Sequence, residues 1–297
     1  MTMHRALARR LTPLGVALVA LVAAVGGCAR PGTGSGPGGE GTPARTYTAD
    51  DVVLRVEHTG GFLPVEAMIT RMPLISVYGD GRVITEGPVV AIYPGPALPN
   101  LQVQTIDPVD VVDLAARALA AGVGGKNDLG QPPVADAAST RFTVLSDAGP
   151  QVTEVYALEI TDAPDGLSAD QRKGRETLRN LLADLTDLPR TIGPDAVSEA
   201  KPYQADAVAV ISRPWTDPGD PALGEQPEIA WPGPALPGAP ASELGLSCAT
   251  VTGADATAVL AAAAGANMLT PWVSEGARWS VNFRPLLPDE ASCDDLS

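Results

Sequence analysis

Few residues of this chain carry reactive chemistry, and the one with the clearest context is the thiol of Cys28. It closes the stretch Val25-Gly26-Gly27-Cys28, whose small residues fit a protease subsite. The run before it, Leu11 to Val25, is apolar, is interrupted by Pro13 and Gly15, and lies behind Arg5, Arg9 and Arg10. A membrane-spanning helix needs about 20 apolar residues, so this run is too short to remain in a bilayer and has the makeup of an export signal. The three arginines form the positive flank that stays on the cytoplasmic side.

Val25-Gly26-Gly27-Cys28 resembles a bacterial lipobox. In precursors of that family a type II signal peptidase cleaves before the cysteine, whose sulfur receives a diacylglycerol. The resemblance implies that Cys28 becomes the acylated first residue of the mature protein. Its partner is then the membrane, with the chain held on the extracytoplasmic face. Two acyl chains hold stably where one is marginal, at about 0.8 kcal/mol per buried methylene. The residues behind the anchor, Ala29 to Pro43, are mostly Gly, Pro, Ser and Thr. With no apolar face they cannot offset the entropy of ordering their backbone, and they read as a tether with a reach of roughly 20 to 25 Å. The expected organisation is a signal peptide over 1–27, the tether over 28–46, a β-rich α+β domain over 47–190 and a second α+β region over 191–297.

The chain has 20 basic and 35 acidic residues. Losing the signal removes three arginines and no acid, which leaves 17 against 35, a formal charge of −18. Such a surface is repelled by phosphate backbones, which excludes nucleic acid as a partner. Lysine occurs only at Lys126, Lys173 and Lys201, while arginine, Ala, Gly and Pro are frequent. In that bias, too, the chain resembles secreted lipoproteins of actinobacteria. With Cys28 committed to lipid, Cys248 and Cys293 are left as one pair, as expected of an exported protein. Their disulfide would clip the acidic segment Asp289 to Asp295 onto the body.

Catalytic patterns are sparse. Of two histidines, His4 leaves with the signal, so a Ser-His-acid triad would have to use His58 and a His-rich zinc site is excluded. Gly245-Leu246-Ser247-Cys248-Ala249 lacks the last glycine of a nucleophile elbow, and Ser247 reads as a loop residue. Gly124-Gly125-Lys126-Asn127 lacks the distal glycine and hydroxyl of a phosphate-binding loop. Asp217, Asp220, Glu225 and Glu228 offer hard oxygen ligands, but their spacing matches no calcium loop. Neither a metal nor a cofactor is therefore expected. Four tryptophans, Trp215, Trp231, Trp272 and Trp279, all fall in the second half, and the first three adjoin proline. Exposed on rigid loops, Trp215, Trp231 and Trp272 would form a binding platform, with Trp279 buried in a strand.

The elements that must position these groups follow from local pattern. Val52–Glu57 reads as a strand, and residues 74–78 and 82–85 as a hairpin turning at Gly79-Asp80-Gly81. A strand over Leu101–Gln104 precedes a helix from Pro108 to Ala121, capped by Asp107 and stopped by Gly122, with a buried stripe of Val109, Val112, Leu114, Ala116 and Leu119. A second hairpin, 140–145 and 152–160, leads into a helix over 168–188 that opens on Ser168 and Gln171, a capping-box pair. Strands over 203–212 and 279–283 and an Ala-rich helix over 254–266 complete an α+β chain. Pro94-Gly95-Pro96-Ala97-Leu98-Pro99 recurs as residues 232–237; the spacing to the following helix differs between the copies and Pro, Gly and Ala are abundant, which favours coincidence over a duplicated β-α-β unit. The function these readings favour is a non-catalytic binding protein of the cell envelope, with a protein, glycan or small molecule as partner. The alternative is an exported hydrolase using carboxylates and a metal, or Ser/Lys chemistry.

Overall fold

Asp80 and Gly81 turn the chain as their chemistry requires. Gly81 sits at φ +91°, and Asp80 Oδ1 accepts the Arg82 amide at 3.0 Å. The turn joins β2 (Ile75–Tyr78) to β3 (Arg82–Glu86). At its start Gly79 presses so close to Thr48 that an added Cβ would lie 2.0 Å from the Thr48 carbonyl. The computed structural model describes residues 46–161, 166–241 and 245–296. The signal run, Cys28 and residues 29–43 of the tether lie outside the described residues.

The fold is α+β, built on two sheets. The first has the order β6 (Gly149–Tyr156), β5 (Ala138–Ser146), β1 (Val52–Gly60), β2, β3, β4 (Leu101–Thr105) and β7 (Lys201–Pro202), antiparallel throughout. The second has the order β10 (Ala239–Pro240), β11 (Ser247–Thr252), β8 (Ala207–Pro214), β13 (Ala277–Pro285), β12 (Trp272–Ser274) and β9 (Ile229–Ala230), parallel only between β12 and β9. β7 belongs to the first sheet although it follows residue 190, so the two halves of the sequence are joined through that sheet.

Helices cover the outer face of each sheet. On the first, α2 (Pro108–Ala120), α3 (Ala169–Thr186) and α4 (Leu188–Ile192) bury a core that includes Leu54, Val56, Phe142, Leu114 and Leu178. The capping box of α3 forms: Ser168 Oγ accepts the Gln171 amide at 3.2 Å and Gln171 Oε1 accepts the Ser168 amide at 2.8 Å. The stripe of α2 differs from expectation. Val111, Leu114, Ala115 and Ala118 are buried, while Val109 is 71% exposed and Leu119 is exposed too. Apolar residues on both flanks of this helix allow either face to pack, and the tight i, i+3, i+4, i+7 set wins. β6 ends at Tyr156 rather than continuing to Ile160, because Ala157 enters the left-handed region at φ +50°.

On the second sheet α5 (Gly253–Ala263) covers a core of Val208, Val210, Trp231, Trp272 and Phe283. Both proline hexapeptides reach this one core: the Ala97 amide donates to Ala266 O at 3.1 Å, and Leu236 is buried within it. They therefore do not hold equivalent places in two repeated units. Between the inner faces of the sheets lies a seam filled by α1 (Val65–Ile69) and by the segment that follows β13. Leu287 packs with Tyr78, Ile84 and Leu101 of the first sheet, and Leu286 with Ala209 and Ile211 of the second. The disulfide Cys248–Cys293 ties this segment to β11, with its Cα atoms 6.2 Å apart.

Candidate functional site

The tryptophans do not form the expected platform. Trp272 is 1% and Trp231 9% exposed. They meet edge-on with ring centroids 5.6 Å apart, and Phe283 lies 5.4 Å from Trp272. With few other large side chains available, the second sheet uses them as its core, and the proline beside each fixes its strand or turn. Trp231 Nε1 donates to Pro234 O at 2.6 Å. Trp215 is half-buried, donates to Leu269 O at 3.1 Å and carries Arg278 over its ring. Trp279 is half-buried rather than fully enclosed, and its buried Nε1 has no partner among the described residues.

The sequence candidates for catalysis are dispersed. Ser247 opens β11 instead of standing on a strand-to-helix turn. His58 has Nε2 2.6 Å from Glu159 at the surface. Asp217 and Asp220 accept local amides, and Glu228 pairs with Arg278. Among the described residues no three His, Cys, Asp or Glu side chains gather to hold a metal ion.

What the fold does assemble is a charged seam. β1 projects Arg55 inward beside Ser76, whose Oγ accepts from Arg55 Nε at 3.0 Å. β13 projects Arg284 from the opposite sheet. Asp289 binds Arg55 at 2.8 Å and accepts the Tyr78 hydroxyl at 2.7 Å. Glu290 binds Arg284 at 2.5 Å and accepts the Leu287 amide at 2.8 Å. Burial opposes ionisation of Asp289, but the hydrogen bond and charge of Arg55 outweigh it and hold the carboxyl below the usual carboxylate range. Burial instead pushes the Glu290 carboxyl up, against the pull of Arg284. Burial raises Tyr78 strongly, and pushes the Tyr203 hydroxyl up to about 12.

Two clefts flank the short connection between α1 and β2, and both are lined by Arg71 and Met72. The polar one, about 480 Å³, is bordered by Arg55, Glu57, Arg141, Arg284 and Glu290. Its charges are largely satisfied internally: Arg141, for example, binds Glu154 at 2.9 Å and approaches Glu57 at 3.7 Å. The other, about 440 Å³, is apolar, with Val89, Val90, Leu98, Met268 and Phe283 in its walls. Its outer lip is Pro88, Val89 and Val90, the start of six consecutive exposed residues without a charge, 88–93, in which Val89 is 64% and Tyr93 66% exposed.

Arg71 stands where the clefts meet. Among the described residues every other arginine makes a side-chain hydrogen bond or ion pair, and Arg71 makes none. Sequence reasoning passed over Arg71 because a single arginine in a short connection has no pattern. The apolar run from Val89 to Tyr93 was a readable signal, since such runs are rarely left on a surface without a use.

No family model matches the chain, and neither a curated protein nor a solved structure matches it.

Proposed function

We propose that this is a lipid-anchored binding protein of the extracytoplasmic face, held by acylated Cys28 and taking its partner in the apolar groove beside Arg71. The observation that carries the binding reading is that groove: an exposed, uncharged lip continuous with an apolar wall, next to the one described arginine without a partner. A mostly apolar concavity with a few polar groups is the ordinary form of a recognition site, and its volume lies within the usual range of roughly 300 to 1,000 Å³. The anchoring rests on the lipobox resemblance and on the Gly/Pro-rich residues behind it, which would keep the folded body close to the membrane.

Each part has its own test. A Cys28→Ala chain should accumulate as unprocessed precursor and take up no labelled fatty acid; normal labelling removes the anchor. A photo-crosslinking residue at Val90 should give a defined adduct in intact cells, and one at Thr257, exposed on α5, should not. Equal crosslinking at both positions, or none at Val90, removes the groove as the site.

A further inference from the structure

The apolar groove is lined by Val281, Asn282 and Phe283, three consecutive residues of β13. Successive residues of a strand point to opposite faces, so a groove lined by three in a row looks onto the edge of the strand. The pairing explains why that edge is open. β12 is three residues long and pairs with β13 only from Ala277 to Trp279, while on the other side β8 accompanies β13 as far as Pro285. Beyond Trp279, no strand of the described residues lies on the β12 side of β13. In an antiparallel pair alternate residues direct their main-chain groups at the partner and the residues between direct theirs away. Every second residue past Trp279 therefore points its N–H and C=O to the open side; of the three lining residues Asn282 is half-buried while Val281 and Phe283 are buried, and no main-chain hydrogen bond from Val281, Asn282 or Phe283 to the facing loop is formed among the described residues.

We propose that the groove binds an extended peptide segment of a partner protein, which adds to β13 as a strand. The inference rests on the reading of the groove as the binding site and names what it takes. Strand addition supplies affinity through main-chain hydrogen bonds and specificity through pockets for alternate side chains. Here the lining is of more than one kind: Leu98 and Phe283 belong to the Trp core, Met72 belongs to the seam, and Arg71 and Glu86 are charged. The segment that fits alternates apolar residues with polar ones. Among the described residues Arg71 and Glu86 have no side-chain partner and give the groove one charge of each sign, which a uniformly acidic or basic segment would not match. Pro88, Val89 and Val90 of the exposed lip line the same groove and extend its apolar surface.

The probe is a pool of hexapeptides with Val, Leu or Phe at odd positions and Thr, Ser or Gln at even ones. It is incubated with the full-length chain in nanodiscs and read by affinity selection and mass spectrometry. Selected peptides should bind the parent at least tenfold more tightly than Val90→Asp, and should lose binding when alternate amides are N-methylated on one edge but not on the other. Retained binding by both N-methylated forms overturns strand addition in favour of apolar adhesion. Displacement of the selected peptides by a dodecyl amphiphile at equal concentration overturns it in favour of a lipid ligand. Self-association of the chain that Val90→Asp abolishes, with no peptide selected, overturns it in favour of a second copy. A crosslink at Val90 in cells with no peptide selected leaves the groove as a site and removes only the peptide.

Discussion

Arg55 and Arg284 stand on the inner faces of different sheets and are neutralised by successive residues of one segment, Asp289 and Glu290. The two sheets are thus joined through a four-residue charge arrangement in which each cation comes from a strand and each anion from the chain after β13. Arg284 is 4% exposed, and among the described residues its Nε has no partner.

The two acids should differ in what their charge contributes. Asp289→Asn should destabilise the protein by about 1–3 kcal/mol, because it removes a carboxylate whose ionisation Arg55 favours, whereas Glu290→Gln should not, because burial already opposes ionisation of that carboxyl. Urea midpoints of the parent and of the two single variants near pH 7 decide it. A larger loss in Glu290→Gln than in Asp289→Asn would show that Arg284 requires an ionised partner.

Asp289 makes stability depend on pH with a definite sign. Its folded carboxyl lies below its unfolded value, so its contribution is fully present above the unfolded pKa of about 3.9 and is lost as pH falls through the folded value. Glu290, raised by burial, contributes the opposite slope: its share is present below the unfolded pKa and is lost as pH rises through the folded one. The stability difference between parent and Asp289→Asn should accordingly be flat above pH 5 and should shrink below about pH 4. A difference that stays constant down to pH 2 would detach Asp289 from the Arg55 interaction.

The readability of this chain in its sequence follows the range of the forces involved. The Asp80-Gly81 turn and the Ser168–Gln171 capping box depend on residues close together and stand where the local pattern put them, while the β5–β6 hairpin forms with its second strand at Gly149–Tyr156 rather than 152–160. The pairing of Cys248 with Cys293 was legible by counting. The α2 stripe was not, because Val109, Val111 and Val112 offer two apolar faces and only the sheet beneath decides between them. Arg55, Arg284, Asp289 and Glu290 gave no signal, since each is an ordinary charge until two sheets and a returning segment bring them together. α1, β7, β9, β10 and β12, from two to five residues long, are held by tertiary partners rather than by propensity. The groove beside β13 belongs to the same class, because its open edge exists only where β12 stops.

The disulfide should matter most to the segment that carries those acids. Cys248 and Cys293 are 45 residues apart, and closing such a loop stabilises the fold by about 4 kcal/mol in the chain-entropy model. Reduction, or Cys248→Ser with Cys293→Ser, should lower the urea midpoint and speed amide exchange at Leu286 and Leu287 before it affects α3. Uniform exchange across both sheets would show that the clip acts on the whole fold and not on the seam.

Tryptophan substitution separates core from surface in the second sheet. Trp272, enclosed by Trp231 and Phe283, should cost about 3–5 kcal/mol when cut to Ala, since the cavity it leaves has rigid walls. Trp215 keeps exposed surface and one carbonyl partner, so Trp215→Ala should cost only about 1 kcal/mol. A soluble quencher should likewise act on Trp215 and spare Trp272, which is read by comparing quenching in the two variants. Removing Trp215 should lower the accessible fluorescence, leaving the share of half-buried Trp279, and removing Trp272 should leave it in place. Equal quenching in both variants would contradict the packing of the Trp231–Trp272–Phe283 core.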